Sequence, residues 1–259
     1  MAMREIRHRV QDCGVRLLRD GQGEPVLYLH GAAGLPAWGP FFEKLAQNHD
    51  VLVPEHPGFG HSDNPTWIRN VPDLAMYYLD FLDGLGGEVH LIGHSLGGWV
   101  AAELAVRNTV HVASLTLLAP AGIRVKGIPS GDNFIWSAEE AVRNLWHDQT
   151  FAEAELAHEP SDEEADIALT NRFMAAKFGW EPRWYNPMLE RWLHRIDVPT
   201  LVIWGEQDKL FPSAYAKAWG ERVSGARVEI IPQCGHRPHF ERLDVAMPLI
   251  LSFLSGGRR

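Results

Sequence analysis

Short apolar runs and helix-spaced apolar residues take turns along most of the chain. Val15–Leu18, Val26–His30, Val51–Pro54, Val89–Ile92, Leu115–Leu118, Thr200–Trp204 and Ala226–Ile231 are runs of strand formers, most of them closed by Gly, Pro or Asp. Between them, Phe41–Asn48, Val71–Leu82, Leu96–Val106 and Val245–Leu254 carry apolar residues at helical spacing. Strand and helix in alternation predict an α/β fold: a doubly wound, mostly parallel sheet with helices on both faces. The alternation stops after Gly122. From Ser137 to about Arg195 only helical segments follow, over Ala138–Trp146, Phe151–His158, Glu163–Phe178 and Pro187–His194. The pattern thus divides the chain into a core, residues 1–121 and 196–259, and an inserted helical lid, residues 122–195. Such a lid would cover the strand ends, where open α/β sheets bind ligands.

Composition narrows the function. Apolar residues make up 46% of the 259 residues and charged residues 22%, enough to bury a full core. A net charge of −9 argues against a nucleic-acid partner. No apolar run is long enough to span a membrane. Met1–Arg9 is basic without an apolar stretch behind it, so no secretory signal is expected. Cys13 and Cys234, the only cysteines, have no metal-ligand spacing and read as free thiols of a reducing, cytoplasmic setting. No metal and no cofactor is expected, and the composition leaves monomer and homodimer equally open.

The chemistry is carried by Gly93-His94-Ser95-Leu96-Gly97, a G-x-S-x-G pattern between a strand and a helix of small residues. In that place the turn is sharp, presents the serine hydroxyl above the sheet, and tolerates only glycine at its flanks. A serine hydroxyl is a weak nucleophile and needs a base. Among 13 histidines, His236 follows the last strand in the turn Gln233–His236, at the sheet edge where the Ser95 strand also ends. His30, His56, His94 and His239 stand close to motif positions as pocket-lining candidates, and His90 lies within a strand. Asp208 follows the Thr200–Trp204 strand and can orient the imidazole, with Glu206 as its rival. An oxyanion would meet the backbone N–H of Leu96 and one from the loop His30-Gly31-Ala32-Ala33-Gly34, assigned to Ala32.

These motifs, with Pro57-Gly58-Phe59-Gly60-His61-Ser62-Asp63, resemble the α/β-hydrolase superfamily over nearly the whole chain, in its lid-bearing branch of small esterases, lactonases and carbon–carbon bond hydrolases. The resemblance implies an eight-stranded sheet, a Ser95–His236–Asp208 triad and a two-amide oxyanion hole. Relatives that open epoxides or displace halide use aspartate where Ser95 stands. Carbon–carbon hydrolases of ring-cleavage products typically carry tryptophan after the histidine, and here Arg237 stands there. Ala33, His94, Trp136, Trp184 and Arg237 are the expected substrate contacts, under a lid rich in tryptophan. Arg172, Arg183 and Arg191 are solvated helix charges on one reading and carboxylate ligands on the other. The expected activity is hydrolysis of a carboxylic ester, or a lactone, of an apolar small molecule. A carbon–carbon hydrolase acting on a dienoate, and a binding scaffold with little turnover, are the alternatives.

Overall fold

The computed structural model describes residues 3–256, so Met1 and Ala2, where a leader was sought, lie outside the described residues. The chain runs β1 (Arg4–Val10), β2 (Cys13–Asp20), β3 (Glu24–Leu29), α1 (Pro40–Ala46), β4 (His49–Pro54), α2 (Val71–Leu85), β5 (Val89–His94), α3 (Leu96–Ala105) and β6 (Val112–Leu118). There follow α4 (Ala138–Leu145), α5 (Gln149–Ala157), α6 (Asp162–Gly179) and the short α7 (Leu189–Trp192), extended by one 3-10 turn. The alternation then resumes with β7 (Thr200–Gly205), α8 (Ala214–Arg222), β8 (Arg227–Ile231), α9 (Pro238–Glu241) and α10 (Leu243–Gly256).

The eight strands form one sheet in the order β1-β2-β4-β3-β5-β6-β7-β8. The β1–β2 and β2–β4 pairs are antiparallel, and every other pair is parallel. Strands β5 and β7 are buried at every residue, because helices cover both faces. On one face Tyr77, Phe81, Trp99, Trp204 and Trp219 pack with α2, α3 and α8. On the other, Phe41, Phe42, Ile250 and Leu254 join α1 and α10 to the sheet.

Local signals set the helix ends. Asn70 accepts from Asp73 N and caps α2, which stops at Gly86 in the left-handed conformation (φ 72°). Ser137 with Glu140, and Ser161 with Glu164, close capping boxes at the starts of α4 and α6. Three elements are additional to those read from the sequence pattern: α8, α9 and β1, which precedes the expected first strand. Its exposed arginines and lone buried Val10 hide an edge strand that pairs through its backbone. No helix among the described residues is long and apolar enough to cross a membrane.

Candidate active site

Strand β5 delivers Ser95 into a turn at φ 52°, ψ −114°, a region that costs a non-glycine residue about 1–3 kcal/mol. Close packing holds it there. A Cβ at Gly93 would lie 2.5 Å from Gly97 O, and one at Gly97 would collide with Leu29 O of β3. The turn is further fixed by Ser95 N donating to Leu118 O (3.0 Å) and Ala121 N donating to Ser95 O (3.0 Å).

Around Ser95 the structure gathers the two other predicted residues. His236 Nδ1 donates to Asp208 Oδ2 (2.7 Å), and its Nε2 receives the Ser95 hydroxyl at 2.9 Å. The first bond sets the tautomer, since a carboxylate can only accept. Asp208 is buried, and its Oδ1 accepts from Leu210 N (2.8 Å) and Phe211 N (2.9 Å), so both oxygens are engaged. Glu206, the rival, is exposed and bonds to Gln207 Nε2 instead.

The loop Gly31–Gly34 passes directly above this line. A Cβ at Gly31 would touch Ser95 Cβ at 3.4 Å, and Gly34 N donates to Gly31 O (3.1 Å), closing a turn with Ala32 and Ala33 at its corners. Leu96 N opens α3, where a helix start leaves its amides without partners in the helix.

Ser95 and His236 face a cavity of about 500 Å³. Ala32, Ala33, His94, Trp136 and Arg237 line it as expected. Trp184 does not. It is buried behind the wall, stacked at 5.1 Å on Phe134 and donating to Asn133 Oδ1 (2.8 Å), so it supports two residues that do line the cavity. A count of tryptophans cannot say which side of a wall each occupies. Arg237 is held by Glu155 (2.8 Å) and lies over the Trp146 ring at 4.7 Å. Of the three arginines weighed as carboxylate ligands, Arg172 lines the cavity and is exposed. Arg183 pairs with Asp132 (3.2 Å) and lies on Trp180, and Arg191 is exposed away from the cavity wall.

Below the site lies a set of fully enclosed histidines. His30 donates from Nδ1 to Gly31 O (2.7 Å) and accepts from His56 N at Nε2 (2.9 Å). His94 donates from Nε2 to His236 O (3.0 Å), and His239 Nε2 bonds the Tyr28 hydroxyl (2.8 Å). Burial pushes His30, His94 and His239 well below the ordinary imidazole range, and His56 down to about 4. Of these four only His94 reaches the cavity; the other three are interior supports.

Sequence reasoning missed two polar residues that bind the site together. Glu241 is buried, and its carboxylate accepts from His147 N (2.7 Å), Asp148 N (2.5 Å) and Gly235 N (2.5 Å). It ties the His236 loop to the α4–α5 connection, beside the bond from His236 N to Leu145 O (2.9 Å). Asn171 is the other. It is a polar residue set into the buried stripe Met174, Ala175, Phe178 of α6, a placement visible in the sequence as a break in apolar spacing.

Comparison with known proteins agrees with this architecture. The profile of the alpha/beta hydrolase fold matches residues 24–243, and the chain belongs to that family. A 2-hydroxymuconate semialdehyde hydrolase of Pseudomonas sp. (strain CF600) is 27% identical, over 97% of this chain and 94% of the relative. Monoacylglycerol lipase abhd6-B of Xenopus laevis is 26% identical, over 92% of this chain and 77% of the relative. The solved 2-hydroxy-6-oxo-6-phenylhexa-2,4-dienoate hydrolase from Rhodococcus sp. strain RHA1 shares the fold. Its TM-score is 0.77 at 22% identity, covering 98% of this chain and 99% of that one.

Proposed function

We propose that the chain is a serine hydrolase that cleaves a carboxylic ester, or a lactone, of an apolar small molecule. The observation that carries this reading is the unbroken line Asp208–His236–Ser95, at 2.7 and 2.9 Å, opening into a cavity lined by Trp136, Phe134 and Leu210. Ser95 Oγ attacks the carbonyl carbon while its proton passes to His236 Nε2. The oxygen that gains charge is received by the N–H groups of Ala32 and Leu96. Collapse expels the alcohol, which takes the proton from His236. Water then attacks the acyl-enzyme, giving its proton to His236, and the carboxylic acid leaves as Ser95 is restored. Asp208 holds the tautomer and stabilises the imidazolium. Residues 122–195 act as the lid that shapes the pocket.

A second reading, carbon–carbon bond hydrolysis of a dienoate with the same three residues, is favoured by one feature. Arg172 reaches the cavity with no ion-pair partner among the described residues. The 2-hydroxymuconate semialdehyde hydrolase named above is one relative whose name matches this reading. One experiment separates the two: kcat/KM across neutral p-nitrophenyl esters of rising acyl length and one ring-cleavage dienoate, in wild type, Ser95→Ala and Arg172→Gln. The ester reading expects roughly fourfold per added methylene until the pocket is full, from about 0.8 kcal/mol per buried CH₂. Ser95→Ala loses about 10⁴–10⁶ in rate. A flat chain-length profile with an Arg172-dependent preference for the dienoate selects the second reading, and a Ser95→Ala variant with a tenth of wild-type activity overturns both.

A further inference from the structure

The glycines of Pro57-Gly58-Phe59-Gly60 and of the Gly31–Gly34 turn play no part in the chemistry described so far, and they share a neighbour. A Cβ at Gly34 (φ 102°) would collide with the Asn171 side-chain amide, and one at Gly58 (φ 85°) with Met174 Cε. Both turns are therefore pared to backbone where α6 rests on them. Asn171, 6% exposed, fills the seam between them. Its Oδ1 accepts from Gly60 N (3.0 Å), and its Nδ2 donates to Ala33 O (3.0 Å). The two partners fix the orientation of the amide, because a backbone N–H must meet the oxygen and a carbonyl must meet the NH₂.

This bond falls on the turn that presents Ala32. The Ala33 carbonyl belongs to the peptide that follows the corner residues, and the Gly34 N to Gly31 O bond ties that peptide back to the start of the turn. Pinning Ala33 O thus pins the plane in which Ala32 N–H points. We infer that Asn171 is a positioning residue for the oxyanion-binding turn, reached from the inserted helix and not from the sheet. Seating of α6 is then coupled to the aim of the Ala32 amide, and with it to stabilisation of the tetrahedral intermediate. This inference rests on the serine-hydrolase reading, in which Ala32 N receives the developing negative charge.

Asparagine suits the place because it donates and accepts at adjacent atoms of one short side chain. Aspartate keeps the acceptor for Gly60 N, loses the donor, and sets a carboxylate against Ala33 O. Removing an oxyanion donor outright costs about 10²–10³ in kcat, and misaiming one costs a fraction of that.

The test titrates wild type, Asn171→Asp and Asn171→Ala with a fluorophosphonate, and reports kcat per labelled site on p-nitrophenyl butyrate. The same proteins are then measured for inhibition by phenylboronic acid, whose adduct with Ser95 mimics the tetrahedral intermediate. Per-site kcat should fall roughly tenfold to a hundredfold in Asn171→Asp with KM little changed. Affinity for the boronate should fall by a similar factor as kcat/KM. A role confined to folding predicts fewer labelled sites with unchanged per-site kcat and unchanged boronate affinity, and that result overturns the inference. If Asn171→Asp does not fold, the same two readouts on Asn171→Ala decide. Wild type that is not labelled at Ser95 overturns the proposed reaction and this inference together. Wild type labelled at Ser95, with both variants matching it per site, overturns this inference alone.

Discussion

Acidification should destabilise this protein from beneath its candidate active site. His56 is fully enclosed, donating from Nε2 to His30 O (2.9 Å) and accepting from the Tyr78 hydroxyl at Nδ1 (2.6 Å), and its pKa sits at about 4. In the unfolded chain the same imidazole titrates near 6.5. Folded His56 therefore stays neutral while its unfolded counterpart takes up a proton. Stability is full above about pH 6.5 and is lost as pH falls towards 4, at about 1.4 kcal/mol per pH unit. At pH 5 this one residue costs the fold about 2 kcal/mol. His30, His94 and His239 are depressed in the same direction by burial. His30 has a geometric reason as well: its Nε2 already receives His56 N–H, so a proton there would oppose a fixed donor. Each of the three therefore destabilises the fold on acidification in the same sense as His56. Glu55 opposes them, because burial raises its carboxyl and its protonation in the fold becomes easier as pH falls. Guanidinium unfolding at intervals from pH 7 to pH 5 should show a loss of about 2 kcal/mol that begins near pH 6.5. His56→Gln should be less stable at pH 7 yet lose less on acidification, its slope shallower by about 1.4 kcal/mol per unit. A wild-type loss below about 1 kcal/mol between pH 7 and pH 5, or an unchanged slope in the variant, refutes the reasoning.

Two further outcomes follow from the polar contacts of the site. Asp208→Asn should lower kcat by about 10⁴ by favouring the wrong imidazole tautomer, whereas Glu206→Gln, exposed and remote from the imidazole, should leave kcat near wild type; steady-state kinetics giving the reverse order would move the orienting role to Glu206. Glu241→Gln replaces an acceptor of three backbone N–H groups with an amide that must turn its own donors towards them. It should cost about 1.5–3 kcal/mol in denaturant unfolding, and a variant as stable as wild type would show that the carboxylate is not needed to hold the His236 loop.

The parts of this molecule that were legible in the sequence are those whose cause lies nearby in the chain. Strands β5 and β7 read plainly because both faces are buried and their runs are mostly apolar. Helical spacing marks α6 to within a residue at each end, and glycines two residues to either side mark the Ser95 turn. β1 escaped notice because Arg4, Glu5, Arg7, His8 and Arg9 leave no apolar run, with only Val10 buried. Trp184 was misplaced because pattern gives the stretch between β6 and β7 its aromatic content without its orientation. Asp208 and Glu206 stand two residues apart after the same strand, and burial with bonds to Leu210 N and Phe211 N separates them in space alone.

The same division runs through the site. Ser95 is set by strand β5, helix α3 and the backbone of neighbouring β3, so its geometry is a property of the sheet. Its partners are not so self-contained. The His236 loop bonds to Leu145 O directly, and through Glu241 to the amides of His147 and Asp148. The Gly31–Gly34 turn bonds to Asn171, 138 positions away in sequence from Ala33. Each of these contacts is a hydrogen bond to α4, to α6 or to the α4–α5 connection, all of which lie between β6 and β7 in the chain. A buried carbonyl or N–H left unpaired costs about 1–3 kcal/mol, so the loops and the helices fix one another. The stretch from α4 to α6 therefore helps to hold both the His236 loop and the Gly31–Gly34 turn. β5, β3 and α3 place Ser95, and the His236 loop and the Gly31–Gly34 turn take their positions against α4, α6 and the α4–α5 connection, which a five-residue motif around Ser95 does not mention.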